Sequence, residues 1–203
     1  SYTVWVYTEL KGVWKKVVSV SAASLEPTGA DVRALAFDPK RKSLLLGGSF
    51  TRIGGVDARY AARWTGGKWQ PLSAETALES TGETYDQALP PNQGYVSQIS
   101  VDYELPGKFD SGDSGAIVLG GLFNLGGVAA NLATMEAGQK RGIRPVVGGV
   151  AGSVDAKTTF PTVRALAQTQ LTASHGLEGA LVIGGTFEKA GDIAVHNVAL
   201  VQN

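Results

Sequence analysis

The side chains best suited to chemistry in this sequence gather in one loop region. Gly112-Asp113-Ser114-Gly115 spells GDSG, the string around the nucleophile of one class of serine proteases. Such a serine attacks only when a histidine takes its proton and a carboxylate holds that histidine. In that class the histidine lies far upstream of the serine. Here both histidines, His175 and His196, follow Ser114, and no Ala-His-Cys segment is present. The four residues read as a polar loop. The same loop carries Asp102, Glu104, Asp110 and Asp113, oxygen donors of the kind calcium gathers in sets of about six to eight. Their spacing fits neither an EF-hand nor a nonapeptide repeat, so a solvated acidic loop is the favoured reading. His175 and His196 have no second nitrogen ligand nearby in sequence, which argues against zinc or copper. Cysteine is absent, which removes disulfides, thiol catalysis and thiolate metal sites. No catalytic, metal-ligating or cofactor-binding residue is assigned, no cofactor is expected, and the chain reads as non-enzymatic.

Aromatic rings are the remaining candidates. Trp5, Trp14, Trp64 and Trp69, with Tyr2, Tyr7 and Tyr60, fall on or beside segments that read as strands. Rings in such places either stack on sugars or fill the space between sheets. Packing is the favoured reading, and a carbohydrate-binding module using the strand tryptophans is the alternative function.

Three copies of one pattern position these residues. Ser43 to Trp69, SLLLGGSFTRIGGVDARYAARWTGGKW, is an apolar strand ending in GG-x-F, a Gly54-Gly55 turn, a strand with Ala62 and Trp64, and a Gly66-Gly67 hairpin. The pattern returns at Ile117 to Met135, IVLGGLFNLGGVAANLATM, and at Leu181 to Val201, LVIGGTFEKAGDIAVHNVALV. A strand precedes each copy. VRALA at Val32 is repeated identically at Val163, and VSQIS at Val96 is a looser match, so the starts lie 64 and 67 residues apart. That period exceeds the roughly 40 to 50 residues of WD40 and kelch repeats, and the surplus falls in loops at Leu72 to Tyr95, Asp102 to Ser114 and Gly148 to Pro161.

Each repeat parses into four short strands, VRALAFD, SLLLGGSF, YAARWT and KWQPL in the clearest copy. The second strand is apolar on both faces in every copy (LLL, IVL, LVI), as a sheet covered on both sides requires. Four-stranded meanders stacked face to face are propeller blades. The pattern therefore predicts an all-β chain of β-propeller-like repeats, with a half blade at 1–21, blades at 32–72 and 96–150, and a partial blade at 163–203. Glycine, at 27 of 203 residues, is nearly twice its usual share of about 7%. Its pairs suit positive φ and close backbone approach. The repeat anchors are Gly47, Gly48, Phe50, Trp64 and Trp69, Gly120, Gly121 and Phe123, and Gly184, Gly185 and Phe187. The phenylalanines are expected to pack between blades. Ala22 to Gly29 reads as a linker, and Tyr2 to Val20 as a hairpin turning at Lys11-Gly12.

GGSFTRIGG, followed by an Ala-x-Trp strand and a Gly-x-Trp hairpin, resembles the repeats of the Rax2-like cortical-marker family and of related kelch-like propellers in surface proteins. The consensus there is close to GG-x-F, a Gly-rich turn and Asn-x-Ala-x-Trp. This chain has Tyr60, Asn131 and Asn197 at the Asn position, and keeps the strand Trp only at Trp64, with Met135 and Val201 in the other copies. The resemblance implies a propeller segment of an extracellular or cell-surface structural protein. A propeller oxidase of the galactose oxidase type would need a cysteine-modified tyrosine, which a chain without cysteine cannot supply.

Eighteen basic and eighteen acidic residues cancel, and the one basic cluster, Lys40-Arg41-Lys42, follows an Asp38-Pro39 turn signal. Nucleic acid is not expected as a partner, and no apolar run reaches the roughly 18 residues of a membrane span. Propellers close with about 4 to 8 blades, and roughly three and a half are legible here. The chain opens on Ser1, which reads as a trimmed piece of something longer. The expected partner is further polypeptide completing the propeller, from the same protein or a neighbouring copy, with glycans as a second class.

Overall fold

The computed structural model describes residues 3–10, 13–73, 94–102, 115–125, 129–136, 143–146, 148–152, 160–168 and 180–201. Among these residues the protein is all-β, built from small antiparallel sheets, with a single 3-10 turn at Ala22–Ser24 and no α-helix. Strands β1 (Thr3–Leu10) and β2 (Val13–Ser21) form the opening hairpin. Blade A holds β4 (Val32–Asp38), β5 (Ser43–Gly48), β8 (Ala61–Thr65) and β9 (Lys68–Pro71), in the sheet order β4-β5-β8-β9. Blade B repeats this order with β10 (Tyr95–Asp102), β11 (Ala116–Leu125), β12 (Ala129–Glu136) and β13 (Arg144–Pro145). Blade C has β15 (Thr162–Gln168), β16 (Leu181–Thr186) and β19 (Val198–Val201).

Successive side chains on a strand point to opposite faces, and the apolar runs use both. Ile117 and Leu119 of β11 pack on blade A, beside Leu45, Tyr60, Ala61 and Leu72. Ala116 and Val118 pack the other way, against Leu181, Ile183 and Phe187 of blade C. Blade A turns Leu44, Leu46 and Phe50 toward Val18 and Val20 of the opening hairpin. Each blade thus has a front face, turned toward the preceding element, and a back face, turned toward the next blade. Phe50, Phe123 and Phe187 are all buried on front faces.

The β4–β5 turn holds the basic cluster. Asp38 accepts a hydrogen bond from the Arg41 amide at 3.0 Å and lies 3.5 Å from its guanidinium, while Lys40 and Lys42 are exposed. The cluster is a solvated turn tied down at its arginine.

Three expectations need correction. The Ala22 to Gly29 linker contains β3 (Leu25–Glu26), and the Gly148 to Pro161 loop contains β14 (Val150–Ala151). Each joins a small satellite sheet with the hairpin that follows GG-x-F. That hairpin is β6 (Arg52–Ile53) with β7 (Val56–Asp57) in blade A, and β17 (Lys189–Ala190) with β18 (Ile193–Ala194) in blade C. The amide of Thr51 donates to the Glu26 carbonyl at 2.7 Å, and that of Glu188 to Ala151 at 2.9 Å. A buried backbone must find partners, and the short strands supply them. The third strand of blade A begins at Ala61, after Tyr60 instead of on it.

Candidate functional site

The glycine pairs sit at the joint of each repeat. Opposite each pair the first strand carries a bulge, between Val32 and Ala34, Val96 and Gln98, and Val163 and Ala165. A bulge inserts one unpaired residue and bends its strand. The bend brings a backbone carbonyl onto the second glycine: Asp31 onto Gly48, Tyr95 onto Gly121 and Thr162 onto Gly185. A Cβ at any of the three would collide with that oxygen. Close approach is therefore what these pairs provide. Positive φ belongs elsewhere, to turn glycines such as Gly54 and Gly55.

The first glycine is a slot for the next blade. A Cβ on Gly47 would lie 2.6 Å from Val96 Cγ1, and one on Gly120 would lie 2.7 Å from Val163 Cγ1 with Leu166 at 3.3 Å. Val96 and Val163, the second residues of β10 and β15, are thus knobs that fill the glycine slots of the blades before them. The bulge residue adds a second tie. Arg33 lies 3.8 Å above the Tyr95 ring, joining A to B, and Ser97 Oγ donates to the Val163 carbonyl at 2.8 Å, joining B to C.

One residue locks the turn in every repeat. Tyr60, Asn131 and Asn197 adopt φ of 62°, 64° and 63°, a left-handed conformation that asparagine tolerates and a bulky residue rarely takes. Their carbonyl or amide groups close on the GG-x-F segment, as where Gly48 donates to Tyr60 and Gly185 to Asn197. The side-chain oxygens of the two asparagines also accept from the preceding GG-x-F backbone, the Phe123 amide at 2.9 Å and the Phe187 amide at 3.4 Å. Tyr60 instead buries its ring where Gly94 opens blade B.

Blade C leaves its back face open. Six positions make up this face in each blade, two on each of the first three strands. In blade A they are Ala34, Ala36, Leu45, Gly47, Ala61 and Arg63. In blade B they are Gln98, Ser100, Val118, Gly120, Leu132 and Thr134. In blade C they are Ala165, Ala167, Val182, Gly184, Val198 and Leu200, all apolar. Val198 is 62% exposed and Leu200 46%. Among the described residues no knob fills the slot at Gly184: the nearest atom to a Cβ there is Ala165 Cβ, at 3.7 Å. At the opposite end, Leu35 and Phe37 on the front face of β4 are 52% and 60% exposed.

No protein-family model, curated protein or solved structure matches this chain.

Of the anchors named from sequence, the six glycines and three phenylalanines occupy equivalent places in the three blades; Gly47 and Gly120 meet the next blade, and Gly184 lies on the open face. Trp64 and Trp69 pair directly across β8 and β9, with ring centroids 5.0 Å apart, and pack partly buried against the front-face cluster of blade A. Trp69 also lies under Gly54, 2.9 Å from where a Cβ would be. His196 is exposed, and the described residues contain no group of three His, Cys, Asp or Glu able to hold a metal. Most of the GDSG string, the acidic donors Glu104, Asp110 and Asp113, and His175 lie outside the described residues. Asp102 ends β10.

Sequence reading missed the lock residues and the open face. Tyr60, Asn131 and Asn197 were visible as an aligned column, but their shared left-handed backbone was not. The open face was legible in principle, since A-x-A, V-x-G and V-x-L on three paired strands all project to one side. Finding it required the register, which places Leu200 opposite Val182.

Proposed function

We propose that the protein is a non-enzymatic structural and protein-interaction module of an extracellular or cell-surface assembly, and that the back face of blade C is its contact surface. The observation that carries this reading is the exposure of Val198 and Leu200 on a six-position apolar face whose equivalents in blades A and B are covered by a neighbouring blade. Burying a valine or leucine side chain contributes about 1.5–3 kcal/mol, and exposed contiguous apolar surface marks interaction sites. The surface location rests on the likeness of the repeat to cortical-marker and kelch-like surface propellers. A carbohydrate-binding role for Trp64 and Trp69 lacks comparable support, because these rings pack on each other and on the core of blade A.

The test places a photo-reactive phenylalanine analogue at Leu200, in cells that make the protein, with the exposed Lys68 as control position. Covalent adducts to protein at 200 and none at 68 support an interaction surface. Equal or absent adducts at both positions contradict it.

A further inference from the structure

The back face of blade C specifies its partner more closely than apolarity alone. We infer that it takes the first strand β4 of a second copy of this chain, with Val32 and Leu35 of one molecule entering the Gly184 slot of another. This rests on the interaction-module reading above and names the occupant of the same face.

Sequence and packing carry the inference together. Where a glycine slot is filled inside the chain, first-strand residues fill it: Val96 at Gly47, and Val163 with Leu166 at Gly120. The strand that fills Gly120 begins VRALA, and β4 begins with the same five residues. Residues Val32 and Leu35 of β4 therefore hold the places of Val163 and Leu166. The opening hairpin covers Leu44 and Leu46 on the neighbouring strand; Val32 is half-buried against the same cluster, and Leu35 and Phe37 are left exposed. One molecule so presents both halves of a contact that it already makes internally, the knob strand at blade A and the vacant slot at blade C.

Charge agrees with this pairing. The bulge residue of each blade reaches the start of the next first strand, as Arg33 reaches Tyr95 and Ser97 reaches Val163. The bulge residue of blade C is the exposed Arg164. In the proposed contact it meets the start of β4, where Asp31 presents a carboxylate that also accepts hydrogen bonds from Arg33 and Ser49. Two different surfaces meet, so the contact is head-to-tail and generates rings or open chains.

The test uses three variants of this 203-residue chain, each checked for unchanged circular dichroism. Leu35→Asp spoils the knob strand, and Leu200→Asp spoils the slot face; Gly184→Arg is a second slot variant, placed where a side chain has room. Native mass spectrometry and sedimentation velocity read the species. The wild type is expected to form oligomers of three or more copies. Each variant alone is expected to remain a single chain, with at least a tenfold loss of association. An equimolar mixture of Leu35→Asp and Leu200→Asp is expected to form one-to-one dimers and stop there, because one intact knob and one intact slot remain. A mixture that stays as single chains overturns the inference, as does Leu35→Asp dimerising alone, which signals a back-to-back contact. If the mixture fails while Leu200 crosslinks to a different protein, the inference falls and the interaction-module reading stands.

Discussion

Alanine at Gly120 and alanine at Gly184 are the same chemical change at equivalent positions, and their effects on stability should have opposite signs. At Gly120 the added methyl meets Val163 Cγ1 at 2.7 Å and Leu166 at 3.3 Å. Neither blade can retreat without opening the cluster that holds Val118, Leu132, Leu181 and Ile183 together. Overpacking of this kind costs about 1–3 kcal/mol. At Gly184 the nearest atoms are 3.7 and 3.9 Å away, ordinary contact distances. There the methyl only narrows the unfolded ensemble, which stabilises by about 0.4–1 kcal/mol. For a chain of this size about 1 kcal/mol moves Tm by roughly 2–4 °C. Gly120→Ala should therefore melt about 2–12 °C below the wild type and Gly184→Ala about 1–4 °C above it, measured at a dilution where only single chains are present. Adding Val163→Ala removes the opposing methyl groups, and the double-mutant cycle with Gly120→Ala should show a favourable coupling of about 0.5–3 kcal/mol. Equal melting temperatures for the two single variants, or zero coupling in the cycle, would refute the slot-and-knob account of blade packing.

The lock residues give two further tests. Asn131→Ala leaves the buried Phe123 amide without its acceptor and puts alanine in a left-handed conformation; the two effects should together cost about 2–5 kcal/mol in urea unfolding. Asn197→Ala should cost less, because its bond is longer, at 3.4 Å, and its side chain is exposed. Tyr60→Ala should cost about 3–5 kcal/mol, as for other large buried rings, and Tyr60→Asn should recover about 1–2 kcal/mol of that by relieving the left-handed strain. A pH test concerns Asp31. Burial pushes its carboxyl upward, but hydrogen bonds from Ser49 and Arg33 and the Arg33 charge outweigh this and hold it below the ordinary carboxylate value. A carboxyl depressed in the folded state contributes stability above its unfolded pKa and loses it as pH falls through the folded value. Asp31→Asn should therefore flatten the fall in stability below about pH 4 and leave the slope near neutrality unchanged.

Fold class was readable because the repeat states it three times. Apolar triplets such as Leu44-Leu45-Leu46 need cover on both faces, and GG-x-F follows VRALA and its relatives in the same order in every repeat, 15, 24 and 21 residues after their starts. The satellite strands were not readable. A two-residue strand such as Leu25–Glu26 has no period to detect, and it exists only because the hairpin after Phe50 needs hydrogen-bond partners. The role of each glycine was half readable. Pairs of glycine announce close backbone approach or positive φ, but only the bulge opposite Gly48, Gly121 and Gly185 decides for close approach. The open face belongs to a third class, in which every residue is visible in the sequence and their common orientation is not. Leu200 resembles any other strand leucine until its partner, Val182, is known to lie on the uncovered side.

The most direct test of the central claim is the weight-average mass of the native protein, by light scattering, over a hundredfold range of concentration. A mass that rises with concentration above that of one 203-residue chain, and that stays at the single-chain value throughout for Leu200→Asp, is the expected result. A wild type that remains a single chain over the whole range, indistinguishable from Leu200→Asp, would contradict the claim that the back face of blade C is an assembly surface.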